Sequence, residues 1–189
     1  MLVYGRGSNL QAILDAIADG QLDAEVVGVF SDKPACEALM RVPGTLRWTR
    51  DAKDAPDRAT FDAELGDAVA ARRPDWVVCA GYMRILGDAF VERFAGRLVN
   101  LHPSLLPRHK GLHTHRRAIE AGDAEHGASV HWVSPELDAG DVIAQTRIPI
   151  LPGDTPEALA TRLRQVEHAL LVAVLREAVA GRLARPAPI

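Results

Sequence analysis

Two cysteines are all this 189-residue chain has, and Cys36 and Cys79 stand far apart with no paired spacing. That excludes a disulfide framework and a cysteine-built zinc site, and it fits a reducing compartment. Positive charge is not in excess: 22 Lys and Arg against 25 Asp and Glu leave a net charge of −3, so the basic footprint of a nucleic-acid-binding protein is missing. No apolar run approaches ~18 residues, which excludes a membrane-spanning helix. The first residues lack the basic stretch and cleavage site of a secretory signal, and the expected location is the cytoplasm. Repeats and low-complexity linkers are absent as well. What is present, 48% hydrophobic and 25% charged residues, is an ordinary globular composition with length for one domain and one sizeable core.

Along the chain, strand patterns alternate with helix patterns. Residues 2–4 begin a strand, and the apolar positions Leu10, Ile13, Leu14 and Ile17 follow helical spacing behind Ser8 or Asn9 as cap. Strands are expected at 25–30, 45–49, 76–79 and 98–100, with helices at 34–40 and 58–72. Residues 129–133 and 141–150 suit a hairpin around Glu136-Leu137-Asp138-Ala139-Gly140. A long helix over 155–180 opens on Pro156, early enough for proline to be tolerated. Cys79 falls in an apolar strand, where a buried small hydrophobe is expected rather than a nucleophile. This order predicts a single-domain, Rossmann-like α/β fold. Its open sheet is mainly parallel, with helices on both faces and an antiparallel edge.

The richest stretch is Val-Asn-Leu-His-Pro-Ser-Leu-Leu-Pro at 99–107. Pro103 disfavours a helical His102, and two residues apart in an extended segment means one face, so Asn100 and His102 emerge together. They do so at a strand end, where open α/β sheets bind ligands. An amide and an imidazole converging there suit a carbonyl oxygen that turns negative during reaction. For a lone Asn-x-His the plainer reading is a loop whose polar groups bond backbone. Gly5-Arg6-Gly7-Ser8-Asn9, between the first strand and first helix, suits an anion held by backbone N–H groups at a helix N-terminus. The third glycine of a dinucleotide fingerprint and the lysine of a nucleoside-triphosphate loop are both missing, so a phosphate monoester fits best.

Together these residues resemble the phosphoribosylglycinamide formyltransferases, folate-dependent enzymes of purine synthesis. The resemblance covers nearly the whole chain and is carried by Gly-Ser-Asn-Leu-Gln-Ala-Ile at 7–13, Ala-Gly-Tyr-Met-Arg-Ile-Leu at 80–86 and Asn-Leu-His-Pro-Ser-Leu-Leu-Pro at 100–107. Gly-Leu-His-Thr-His at 111–115, His-Gly-Ala-Ser-Val-His at 126–131 and Glu-Leu-Asp-Ala-Gly at 136–140 follow in order. It implies one formyltransferase domain over 1–189, with a phosphate-binding half at about 1–98, a folate and catalytic part at about 80–150 and a C-terminal helix at about 155–180.

The resemblance also implies roles. Gly7, Ser8 and Asn9 would hold the substrate phosphate, with Glu167 touching the same substrate. Met83, Arg84, Ile85 and Leu86, with Asn100, Ala139 and Gly140, would line the pocket of 10-formyltetrahydrofolate, and Arg58 would reach its carboxylate tail. Asn100, His102 and Asp138 form the implied catalytic trio: His102 as imidazolium and the Asn100 amide stabilise an oxyanion, while Asp138 raises the imidazole pKa. Read without the family, Glu167 and Arg58 are surface charges and 83–86 a packed loop with Arg84 in solvent. His113, His115 and His131 match no zinc spacing, so structural roles and no metal are expected; His109 and Lys110 are expected to be solvated. Tyr4 stands where the family has a small residue, Ala128 replaces a common threonine and Ala139 a common glycine. The first strand begins almost at Met1, a short start expected to loosen the phosphate loop. Small molecules are the expected partners, without nucleic acid or membrane, for a monomer or homodimer. The rival formyltetrahydrofolate deformylases carry a further N-terminal domain and lack the phosphate loop, and methionyl-tRNA formyltransferases need a basic second domain. A non-catalytic folate or sugar-phosphate binder would not require all of Asn100, His102 and Asp138.

Overall fold

In the computed structural model, which describes residues 1–183, the apolar runs become strands β1 (Leu2–Val3), β2 (Val29–Ser31), β3 (Arg47–Thr49), β4 (Val77–Ala80), β5 (Leu98–His102), β6 (Glu125–Trp132) and β7 (Val142–Pro149). Between them lie helices α1 (Ser8–Ala18), α2 (Arg58–Ala71), α3 (Asp88–Arg93), α4 (Thr114–Glu120) and α5 (Pro156–Val179). The strands form one sheet in the order β3-β2-β1-β4-β5-β6-β7. Pairing is parallel from β3 through β5, and β6 and β7 run antiparallel as a hairpin. This is the α/β sheet with an antiparallel edge that the alternation of patterns predicts. The chain leaves β1 toward β2 and β3, then returns to place β4 on the other side of β1. Ligands of open sheets bind at such a reversal, beyond the strand C-termini.

Two cores sandwich the sheet. Strand alternation sends Val99, Leu101, Val130 and Trp132 to the face packed by Leu163, Leu171 and Leu175 of α5. Leu98 and Val77 join Phe61 and Leu65 of α2 and Phe90 of α3 on the opposite face. Asp57 caps α2 through its side chain on Thr60 N–H, and Thr155 caps α5 on Ala158 N–H, with Pro156 in the first turn. On α1 the cap is Gly7 with φ 69° and no side-chain bond, so Ser8 and Asn9 sit inside the helix rather than capping it.

Other boundaries differ for identifiable reasons. The strand expected at 25–30 is confined to Val29–Ser31. Among the described residues, 25–28 join no ladder, although the Gly28 carbonyl accepts from the Met1 ammonium at 2.8 Å. They border a cavity of about 360 Å³, together with residues 72–78 and the end of α5. The expected helix at 34–40 is a 3-10 turn, Glu37–Arg41, and a second 3-10 turn, Gly44–Leu46, takes the start of the expected strand at 45–49. Helices α3 and α4 have six and seven residues, too short to generate a periodic pattern. Among the described residues no helix is long and apolar enough to cross a membrane.

Gly127 in β6 is dictated by packing. A Cβ there would overlap the Thr146 carbonyl oxygen of β7 and come within 2.5 Å of Leu105 Cδ2. Gly127→Ala should therefore cost about 1–3 kcal/mol, read as a lower urea midpoint at unchanged m-value. A wild-type midpoint would show that the hairpin yields freely at this point.

Candidate active site

The C-terminal end of β5 assembles the polar cluster. Because Val99 and Leu101 are committed to the α5 core, Asn100 and His102 point to the other face. Antiparallel pairing then sets His131 opposite Asn100 and Ser129 opposite His102, so four polar side chains share one patch of sheet. Asn100 Nδ2 lies 3.0 Å from His131 Nε2. Nδ1 of His131 is 2.8 Å from the Trp132 carbonyl and must donate to it, which leaves Nε2 as the acceptor of the Asn100 amide. Burial holds His131 below the ordinary imidazole range, in keeping with that neutral tautomer.

Asp138 reaches the cluster from the loop joining β6 and β7. Its backbone adopts φ 49°, a left-handed conformation that aspartate tolerates better than most residues. One carboxylate oxygen lies 3.4 Å from His102 Nδ1 and accepts the Gly111 N–H at 2.8 Å; the other lies 3.6 Å from His131 Nε2. The second ring nitrogen of His102 faces the His109 carbonyl at 3.0 Å. Each ring nitrogen thus faces an oxygen acceptor, at 3.0 and 3.4 Å, an arrangement that suits a ring with a proton on both. Asn100, His131 and Asp138 line a cavity of about 80 Å³ with Cys79, Tyr82, Arg84, Ile85, Leu86, Val133, Ser134, Pro135 and Leu137. Burial pushes the Cys79 thiol up to about 12, so this wall of the cavity is inert, as expected of a buried small hydrophobe.

The remaining expected residues sit at varying distance from that cavity. Arg84, Ile85 and Leu86 line it, with the Arg84 guanidinium 4.9 Å above the Phe61 ring rather than free in solvent. Met83 is exposed, and neither it nor Ala139 or Gly140 forms part of the wall. Arg58, half exposed in the first turn of α2, pairs with Asp62 at 3.4 Å; Asp62 in turn accepts the Gly87 N–H, which ties α2 to the segment after Leu86. Gly7, Ser8 and Asn9 open α1 beyond β1, where first-turn N–H groups face the same end of the sheet. Glu167 lies on α5, and its burial raises the carboxyl to about 7. None of these residues borders the larger cavity near residues 25–28. Among the described residues, no group of three or more His, Cys, Asp or Glu is gathered for a metal ion.

The sequence assigned His131 only a structural role and gave Tyr82, Ser134, Pro135 and Leu137 no role of their own. The register of β5 on β6 is the signal that brings His131 in. His109, expected in solvent, is nearly buried against Asp123, and its carbonyl holds the catalytic candidate His102.

Residues 1–175 match the family model described as formyl transferase. The phosphoribosylglycinamide formyltransferase of Escherichia coli (strain K12) is 45% identical over 185 residues, covering 97% of this chain and 87% of that protein. Among solved structures, glycinamide ribonucleotide transformylase 1 of Symbiobacterium toebii superposes with a TM-score of 0.94 at 37% identity, covering 99% of this chain and 89% of that one. The phosphoribosylglycinamide formyltransferase of Coxiella burnetii does so with a TM-score of 0.92 at 43% identity, covering 99% and 89%.

Glu167 offers a test of the electrostatics. A carboxyl raised by burial holds its proton more tightly in the folded state. The resulting cost to stability is absent below about pH 4.5, its ordinary value, and complete above about 7. Glu167→Gln should thus stabilise the protein by about 1–2 kcal/mol near pH 8, less than the full shift because the side chain keeps some solvent contact, and by almost nothing near pH 4.5. Equal effects in urea unfolding at the two pH values would contradict this.

Proposed function

Since this chain belongs to the formyl transferase family, we propose that it transfers the formyl group of 10-formyltetrahydrofolate to the amine of 5′-phosphoribosylglycinamide, a step of purine biosynthesis. The observation that carries this reading is the buried His102–Asp138 pair, whose Asp138 joins Asn100, Arg84, Ile85 and Leu86 in lining one cavity. The first turn of α1, with Gly7, Ser8 and Asn9, holds the phosphate, because its N–H groups are unpaired and its dipole favours an anion. Glu167 touches the same substrate with a carboxyl that titrates near neutrality. Met83, Arg84, Ile85 and Leu86 hold the pterin through backbone and apolar contacts. Arg58 reaches the carboxylate tail, and the loop through Ala139 and Gly140 closes over the ring.

In the reaction the amine attacks as free base. Its lone pair forms the new C–N bond, and the formyl C=O pair moves onto oxygen. The His102 imidazolium, through its Nδ1 edge, and the Asn100 amide, through the N–H not given to His131, stabilise that oxyanion. Asp138 favours the charged imidazole and accepts or orders the proton that leaves the attacking nitrogen. When the oxygen pair returns, the bond from formyl carbon to the donor nitrogen breaks, and that nitrogen takes the proton. His131, locked as a neutral acceptor by the Trp132 carbonyl, keeps the Asn100 amide donating in one direction.

His102→Ala and Asp138→Ala should each lower turnover by at least 10²-fold, about 3 kcal/mol of barrier, and leave glycinamide ribonucleotide affinity nearly intact. Steady-state kinetics with near-normal turnover in either variant would refute these roles. A one-carbon assay separates the alternatives: formyl on the glycinamide supports transfer, release as formate indicates hydrolysis, and no movement of the group indicates a binding protein.

A further inference from the structure

His109 and Asp123 take no part in the roles assigned above, yet they stand directly behind His102. The connection from β5 to α4 spans residues 103–113 without regular structure, and it grips both members of the central pair. The His109 carbonyl faces His102 Nε2 at 3.0 Å, and the Gly111 N–H donates to Asp138 at 2.8 Å. The first half of this loop is fixed from β6 and β7: Ser129 Oγ donates to the Ser104 carbonyl and accepts the Leu106 N–H, and Gln145 Nε2 reaches the Leu106 carbonyl. Beyond Leu106, Ser104 Oγ donates to the Arg108 carbonyl and the Arg117 guanidinium to the Lys110 carbonyl, which flank His109 without bonding it. His109 adopts φ 54°, a left-handed backbone unfavourable to a non-glycine residue, so something must hold it there.

Asp123, in the turn between α4 and β6, supplies the hold. Its carboxylate is 2.7 Å from His109 Nε2 and also pairs with Arg108. The Asp123 side chain is only 4% exposed and the His109 ring 12%, whereas Arg108 is 59% exposed. A solvent-screened arginine contributes little to such a contact, so the buried imidazole is the partner that matters. Other groups near His102 do not substitute for this hold. Burial keeps His115, His126 and His131 below the ordinary imidazole range, His126 down to about 4, so at neutral pH they bring no charge that orients the ring.

We propose that Asp123, acting through His109, is a positioning residue for His102: it keeps the residue 109 carbonyl on Nε2 and thereby keeps the Nδ1 edge turned to Asp138 and the reacting oxygen. Without that carbonyl Nε2 loses the hydrogen-bond partner found for it among the described residues, and the edge that meets the oxyanion loses its fixed direction. The kinetic part of the test rests on the proposed formyl transfer; the spectroscopic part does not.

The measurement is imidazole nitrogen NMR of the whole protein, uniformly labelled with nitrogen-15, beside steady-state kinetics. In the wild type His102 Nε2 should carry a hydrogen-bonded proton that exchanges slowly with water. In Asp123→Ala and His109→Phe that exchange should accelerate at least tenfold. Turnover should fall about ten- to a hundredfold, with both KM values within about twofold. Asp123→Asn, which still accepts one hydrogen bond from His109, should recover most of the loss. The proposal is overturned by a wild-type His102 without a proton on Nε2, or by folded variants whose Nε2 proton is as protected as in the wild type, whatever their melting temperature. Should Asp123→Ala not fold, His109→Phe breaks the same bond while keeping the bulk of the ring. A protein that moves no formyl group but keeps the protected Nε2 proton, and loses it in the variants, would defeat the proposed function and leave the positioning role standing.

Discussion

Strand β5 is held by a parallel neighbour on one side and an antiparallel one on the other, and this change of direction is what the site depends on. Parallel pairing with β4 aligns Cys79 with Asn100 and fixes which end of β5 meets the cavity. Antiparallel pairing with β6 puts His131 across from Asn100 and Ser129 across from His102. A slip of one residue would turn Asn100 and His102 into the α5 core and bring Val99 and Leu101 to the polar face. The apolar burial of Val99, Leu101, Val130 and Trp132 therefore sets the position of the catalytic candidates, although none of these four touches a reacting atom.

Once the register is set, hydrogen bonding narrows the possibilities. A buried imidazole has to find partners for both nitrogens. His131 uses the Trp132 carbonyl and the Asn100 amide, and His102 uses the His109 carbonyl and Asp138. The two rings sit on adjacent strands beside the same carboxylate, and each turns its far nitrogen to a backbone carbonyl, that of Trp132 for His131 and that of His109 for His102. They differ on the side of the carboxylate. There His131 Nε2 accepts the Asn100 amide and the ring stays neutral, whereas His102 Nδ1 faces an Asp138 oxygen, which suits a charged donor. The division of labour follows from which ring the Asn100 amide meets.

The left-handed residues belong to the same construction. His109 and Asp138 have φ of 54° and 49°, and both deliver a group to His102. Holding such conformations requires support from outside the loops, and here it comes from Asp123 and from the Gly111 N–H. Gly7, at the start of α1, is constrained in a similar way. A Cβ there would lie 2.5 Å from that of Ala38, so the close approach of the first 3-10 turn requires glycine.

By itself the sequence determined the order of the strands and of α1, α2 and α5, the hairpin around Asp138 and the candidacy of Asn100, His102 and Asp138. These are signals of local spacing: period two in a strand, proline after His102, glycine before a helix. It also carried the family, because long motifs such as residues 100–107 stand unbroken. Tertiary structure alone decided that the helix expected at 34–40 is a 3-10 turn, that His131 sits between Asn100 and Asp138, and that His109 faces Asp123 rather than water. Each of these depends on which segments, distant in sequence, become neighbours in space. A histidine reads the same in a string of letters whether its nitrogen meets a carbonyl, a carboxylate or solvent, and only the assembled sheet and loops choose among them.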